Sequence, residues 1–176
     1  MIKEFVIAMI IGIGAIGSLS FFGLPLAILY LIVCLDKIIA GFTRGGLANL
    51  GIEFTTIPVI FAGILYGPYV AFIFGFIVVQ AVDVIRWIIN APLEASWFPV
   101  IPGPESLVDG IIGVVAALLA GMMGFFLVAV ICILAKNILV PAKDMLVYGM
   151  PPRPIFLFNV VLNIVLANLL QFILFL

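Results

Sequence analysis

Histidine is absent from this 176-residue chain, and only 9% of its residues are charged. Without an imidazole the chain can build no histidine-ligated haem or copper centre by itself. Its few serines have no histidine base, and no Gly-x-x-x-x-Gly-Lys-Ser/Thr stretch occurs, so it is not expected to hydrolyse nucleotide alone. An enzyme is therefore not expected, nor is a cofactor. The net charge is −1, and nucleic acid is not an expected partner. Cysteine is scarce too: Cys34 and Cys132 sit inside separate apolar stretches and read as small core residues rather than a disulfide.

What fills the chain is apolar. Hydrophobic residues make up 67% of it, with 16 Phe and a mean hydropathy of +1.52, whereas soluble domains carry roughly 25% charged residues. Between charged residues lie four neutral stretches, 5–35, 54–82, 110–135 and 154–176. Each exceeds the roughly 20 residues that a helix needs to cross the hydrocarbon. The fold class expected is all-α, a polytopic transmembrane bundle of five or six helices. It forms one membrane domain over residues 1–176, multi-pass in the cell membrane, with lipid as its immediate partner. The run after Met1-Ile-Lys-Glu has the look of a secretory signal with small residues at Gly17-Ser18, and is expected to be retained as a helix.

Proline and glycine divide these stretches. Gly23-Leu24-Pro25 predicts a first span of 5–22 and a second of 25–41. The block from Ile57 to Ile89 is interrupted by Gly67-Pro68, since proline lacks a donor and disfavours helix at the residue before it. Two readings stay open there: one span of 56–81, or a short helix of 57–66 followed by a full one of 68–89. The Pro- and acid-rich loop of 90–106, with Trp97 in it, suits an ordered cap at the interface. A span of 108–135, a basic loop of 136–153 and a last span complete the order. Five spans with the N-terminus inside gather Lys3, Lys37, Arg44, Lys136, Lys143 and Arg153 on the cytoplasmic side and leave Arg86 outside; six spans turn the later cations around.

Few residues remain for function. Glu53, Thr55 and Thr56 precede Pro58, and an ionisable group at membrane depth points to a functional site. The alternative is an interfacial Glu53 beside two threonines that cap the next helix. Asp83 and Arg86, at i and i+3, share a helical face with Gln80, Trp87 and Asn90 and can pair with each other. That face is either a span end anchored by Trp87 or a polar and aromatic wall for a flat solute. Glu94, Glu105 and Asp109 make an acidic rim without the ligand spacing of a calcium loop, so no metal site is expected; Asp109 alone enters an apolar block. Small residues at four-residue spacing, such as Ala8 and Gly12, suit close helix packing or a partner subunit.

The segment Leu50-Gly-Ile-Glu-Phe-Thr-Thr-Ile-Pro-Val-Ile-Phe-Ala-Gly-Ile-Leu-Tyr-Gly-Pro-Tyr-Val-Ala-Phe-Ile-Phe-Gly75, followed by Asp83, resembles the substrate-binding S components of energy-coupling factor vitamin transporters. Ile57-Pro58, Ala62-Gly63 and Gly67-Pro68 carry the likeness, which is confined to residues 50–83. The resemblance implies a small helical bundle that captures a vitamin or similar micronutrient and then joins a coupling subunit and ATPases. It also implies that the segments from Arg44 to Thr56 and from Asp83 to Trp97 cover the solute, which brings in Arg44, Asn49, Glu53, Thr55, Asp83, Arg86, Trp87 and Asn90. Ala8 and Gly12 would dock the coupling subunit. Such a family usually has six spans with the Gly-Pro turn on the cytoplasmic side.

Three functions are expected, in descending order. The first is a solute-binding subunit of a micronutrient transporter energised by other subunits. The second is a non-catalytic structural subunit of a larger membrane complex. The third is an ion-coupled carrier or channel using Glu53 or Asp83. Convergence of polar groups in the interior favours transport, and polar groups that all face the headgroups favour the structural subunit.

Overall fold

The computed structural model describes residues 2–42, 53–90, 104–149 and 156–174, and every element in them is helical. Helix α1 (Ile2–Phe22) and α2 (Leu24–Phe42) meet at Gly23, the break expected from Gly23-Leu24-Pro25. Pro25 falls in the first turn of α2, where its missing N–H is not needed. Across this hairpin the Tyr30 hydroxyl donates to the Ile10 carbonyl at 2.8 Å.

Of the two readings of the third block, the divided one is found. A short α3 (Thr56–Tyr66) ends at Gly67, and α4 (Pro68–Ile73) begins immediately after it. Gly67 has φ 84°, where a Cβ would be strained, so one residue reverses the chain. Helix α4 runs into a π-helical turn, Phe74–Val78, and continues as α5 (Val79–Asn90). A π turn carries one extra residue and rotates the helix beyond it by about 100°. Accordingly, α4 packs on the next helix, α6 (Pro104–Ala120), while α5 packs on α2.

The expected single span of 108–135 is two helices. α6 stops at Ala120 and α7 (Phe125–Tyr148) starts after the turn Gly121-Met-Met-Gly124. The Met122 and Met123 amides both donate to the Leu119 carbonyl, closing α6, and the Leu127 and Val128 amides donate to that of Gly124, opening α7. Lys136 and Lys143, expected in a basic loop, therefore lie on α7; Arg153 lies outside the described residues. Helix α8 (Phe156–Leu174) closes the order.

Helix direction alternates from α1 to α3, from α3 to α4–α5, and on through α8. Tyr66 marks one end of the bundle: its hydroxyl donates to the Phe22 carbonyl at 2.9 Å and accepts from the Leu26 amide at 3.1 Å. Every charged residue of the described helices lies in the opposite half. Arg86, in the last turns of α5, thus shares its end with Lys3, Lys37, Lys136 and Lys143, and is not set apart from them as the five-span reading expects. The two breaks are the reason: the reversal at Gly67 brings Arg86 to the end that holds Lys3 and Lys37, and the one at Gly121–Gly124 returns Lys136 and Lys143 to it.

Helix α3 occupies the centre. It packs against α2, α4, α6, α7 and α8, and residues 56–63 are all buried. Around it, Ile2–Phe22, Pro68–Ile89 and Phe125–Lys143 are long and apolar enough to cross a membrane. Large apolar side chains such as Phe5, Ile13, Tyr69, Leu118 and Phe172 face outward, as lipid contact requires.

Candidate functional site

Polar side chains inside this apolar bundle gather in one layer. Asp36, Asp109, Lys136 and Asn163 each lie eleven or twelve residues from the end of their helix at the uncharged side of the bundle. At 1.5 Å per residue that is a depth of about 16–18 Å. Helix α3, with 11 residues, spans about the same distance and so begins inside the layer rather than at the bundle surface. Glu53 and Phe54, just before it, are non-helical backbone at that depth. Such backbone is tolerated in a membrane only where protein or a cavity surrounds it.

Neighbouring helices satisfy that backbone. Asp36 accepts from the Phe54 amide through Oδ1 at 3.0 Å and from the Thr55 hydroxyl through Oδ2 at 2.7 Å. Thr55 occupies the N-cap position but makes no side-chain cap, and the Asp36 carboxylate of α2 holds the two residues that lead into the positive end of α3. Helix α8 supplies the remainder: Asn159 Oδ1 accepts from the Glu53 amide at 3.3 Å, and Asn163 Nδ2 donates to the Glu53 carbonyl at 3.1 Å. Asn163 also donates to Asn159, and Asn159 donates to Asn137 Oδ1 at 3.2 Å. Three asparagines thus tie α7, α8 and the start of α3 together.

Two buried lysines complete the layer, each shared by two carboxylates. Lys37 Nζ lies 3.2 Å from Asp83 Oδ1 and 3.9 Å from Asp36 Oδ2. Lys136 Nζ lies 2.8 Å from Glu53 Oε1 and also pairs with Asp109. Asp109 is held there by the π turn. A Cβ on Gly75 would come within 2.7 Å of the Asp109 carbonyl carbon, so only glycine admits this contact between α6 and the π turn. Buried charge is costly in lipid and persists when paired, and each ammonium here offers three donors to two carboxylates. Nearer the surface, Lys143 and Glu105 pair at 3.1 Å.

The expected site residues divide accordingly. Glu53, Thr55 and Asp83 enter the layer. The expected pair of Asp83 with Arg86 is not formed: the packing of α5 on α2 brings Lys37 to Asp83, and Arg86 makes no ion pair among the described residues. Trp87 is half-buried, one turn beyond Asp83. Arg44 and Asn49 lie outside the described residues, as do Glu94 and Trp97, and the Asn90 side chain is not described. On α1, which buries no residue, Ala8 is exposed and a Cβ on Gly12 would meet nothing within 4 Å.

Six members of the layer were not singled out by sequence reasoning: Asp36, Lys37, Lys136, Asn137, Asn159 and Asn163. The available signal was their position, because Asn159 and Asn163 stand at i and i+4 on one face of an apolar helix, and Lys136-Asn137 follow an apolar run. Compared with protein families, curated proteins and solved structures, the chain matches none.

Proposed function

We propose that this chain is the solute-binding membrane subunit of a micronutrient transporter, energised by separate subunits. The observation that carries the reading is a half-length helix, α3, starting in a buried polar layer near mid-depth. Interrupted helices of this kind place polar groups and unwound backbone where a transported solute binds, while lipid sees only regular helix. Glu53, Thr55 and Asp83, the described members of the segment that resembles the S components, join that layer. In this reading the six longer helical rods cross the cell membrane and α3 half-crosses it. No nucleotide-binding motif is present, which fits energy supplied in trans. The outward face of α1, with Ala8 and Gly12, is free to meet a coupling subunit.

The same unburied α1 also favours the second reading, a structural subunit of a larger membrane assembly. Extraction in mild detergent followed by native mass spectrometry separates the two. The transport reading expects a small molecule retained by the native chain and lost in Asp36→Asn, together with co-purifying ATPase subunits. A chain that holds no small molecule and stays in a large assembly indifferent to Asp36→Asn contradicts it.

A further inference from the structure

The buried layer is out of balance in charge and in hydrogen-bonding type, and both imbalances have the same sense. Six ionisable side chains meet there: Asp36, Glu53, Asp83 and Asp109 against Lys37 and Lys136. Four carboxyl groups share two ammonium groups as ion-pair partners among the described residues, an excess of two acid groups. Arg86, on α5, makes no ion pair among the described residues.

The neutral groups add acceptors without donors. Asn163 and Thr56 are both 0% exposed, and Asn163 Oδ1 and Thr56 Oγ1 are buried without a hydrogen-bond partner among the described residues. The Asn163 amide is fixed in this sense, because the two hydrogens of its Nδ2 are shared among three acceptors, the Glu53 carbonyl, the Asn159 carbonyl and Asn159 Oδ1. Unpaired buried acceptors are costly, and in native proteins they call for an explanation.

A ligand that repairs both imbalances carries positive charge and either donates hydrogen bonds or accepts oxygen ligands. Among the described residues no three Asp, Glu, His or Cys side chains come together as metal ligands, which disfavours a divalent metal. We infer that the layer at the start of α3 binds a monovalent cation, either an alkali ion or the ammonium head of a small solute, beside Glu53, Thr56, Asp109 and Asn163. This inference rests on the solute-binding reading and names the charge class of what that site takes. The two lysines then serve as fixed cations that hold the four carboxylates in place and leave charge for one more.

Purified full-length chain in detergent tests it. Thermal unfolding is followed while NaCl, KCl or ethylammonium chloride replaces N-methylglucamine chloride at constant ionic strength and pH. The expected result is a saturable rise in the unfolding midpoint with one of the small cations. A response to Na+ or K+ assigns an alkali ion, and a response to ethylammonium assigns an ammonium head. Asp109→Asn should weaken that cation's apparent affinity by about tenfold or more. Thr56→Val, which keeps shape and charge, should weaken it as well, and Glu105→Gln, at the exposed pair with Lys143, should not. A midpoint that follows ionic strength, the anion or pH alone overturns the inference. Native mass spectrometry then separates the two levels. A neutral or anionic molecule retained by the native chain and lost in Thr56→Val overturns the cation and leaves the solute-binding reading standing. With no retained molecule and no cation effect, both fall.

Discussion

The two halves of this bundle solve the same membrane problem in different ways. In the half that holds Gly23, Gly67, Gly121 and Gly124, the helices are joined by turns of one to four residues with no charged side chain. Contacts there are uncharged: the edge-to-face pair of Phe22 and Tyr66, with centroids 5.8 Å apart, and the hydrogen bonds of the Tyr66 hydroxyl to helix-end backbone. In the other half, a helix that begins partway through the bundle leaves backbone groups that only neighbouring side chains can satisfy. Asp36, Asn159 and Asn163 do so, and Lys37 and Lys136 neutralise part of the resulting charge. Regular helix satisfies its own backbone and tolerates apolar neighbours, whereas interrupted helix makes its neighbours polar.

If this contrast is right, substitutions should differ in cost according to the half they fall in. The largest effect is expected at Lys136. Lys136→Met leaves a buried Asp109 and a half-buried Glu53 without their shared cation and should cost about 3–5 kcal/mol in reversible unfolding in detergent. Next comes Gly75→Val, which drives a side chain into the Asp109 backbone and should cost about 1–3 kcal/mol while moving α6 away from the π turn. Asn163→Leu removes the donor to the Glu53 carbonyl; polar contacts between membrane helices are worth about 0.6–1.7 kcal/mol, and a loss in that range is expected. At the other extreme, Leu19→Ala, on the outward face of α1 in the uncharged half, should stay within about 0.5 kcal/mol of the native chain by the same measurement. A larger loss at Leu19 than at Lys136 would reverse the comparison.

Legibility in the sequence followed the same division. The helix breaks at Gly23-Leu24-Pro25 and Gly67-Pro68 were readable because proline and glycine act locally, and helices long and apolar enough to cross a membrane were readable from hydropathy. Glu53 and Asp83 stood out as carboxylates beside apolar runs, and Asp109 as the acid that enters one. Their partners did not stand out. Lys136 is 83 residues from Glu53, and Asn163 is 110 residues from it. No local rule links positions so far apart, and the nearer Arg86 made a false partner for Asp83. Gly121 and Gly124 fall inside the span expected over 108–135, although together they flank a turn. The π turn left no sequence signal, yet it rotates α5 so that Asp83 meets α2.

The central claim is that residues distant in sequence meet in one buried layer at the start of α3. A double-mutant cycle on Glu53→Gln and Lys136→Met, read by reversible unfolding in detergent, tests it most directly. A shared layer predicts a coupling of about 1.5 kcal/mol or more between the two sites. Additivity within about 0.5 kcal/mol would contradict it, because sites without a shared interaction simply add.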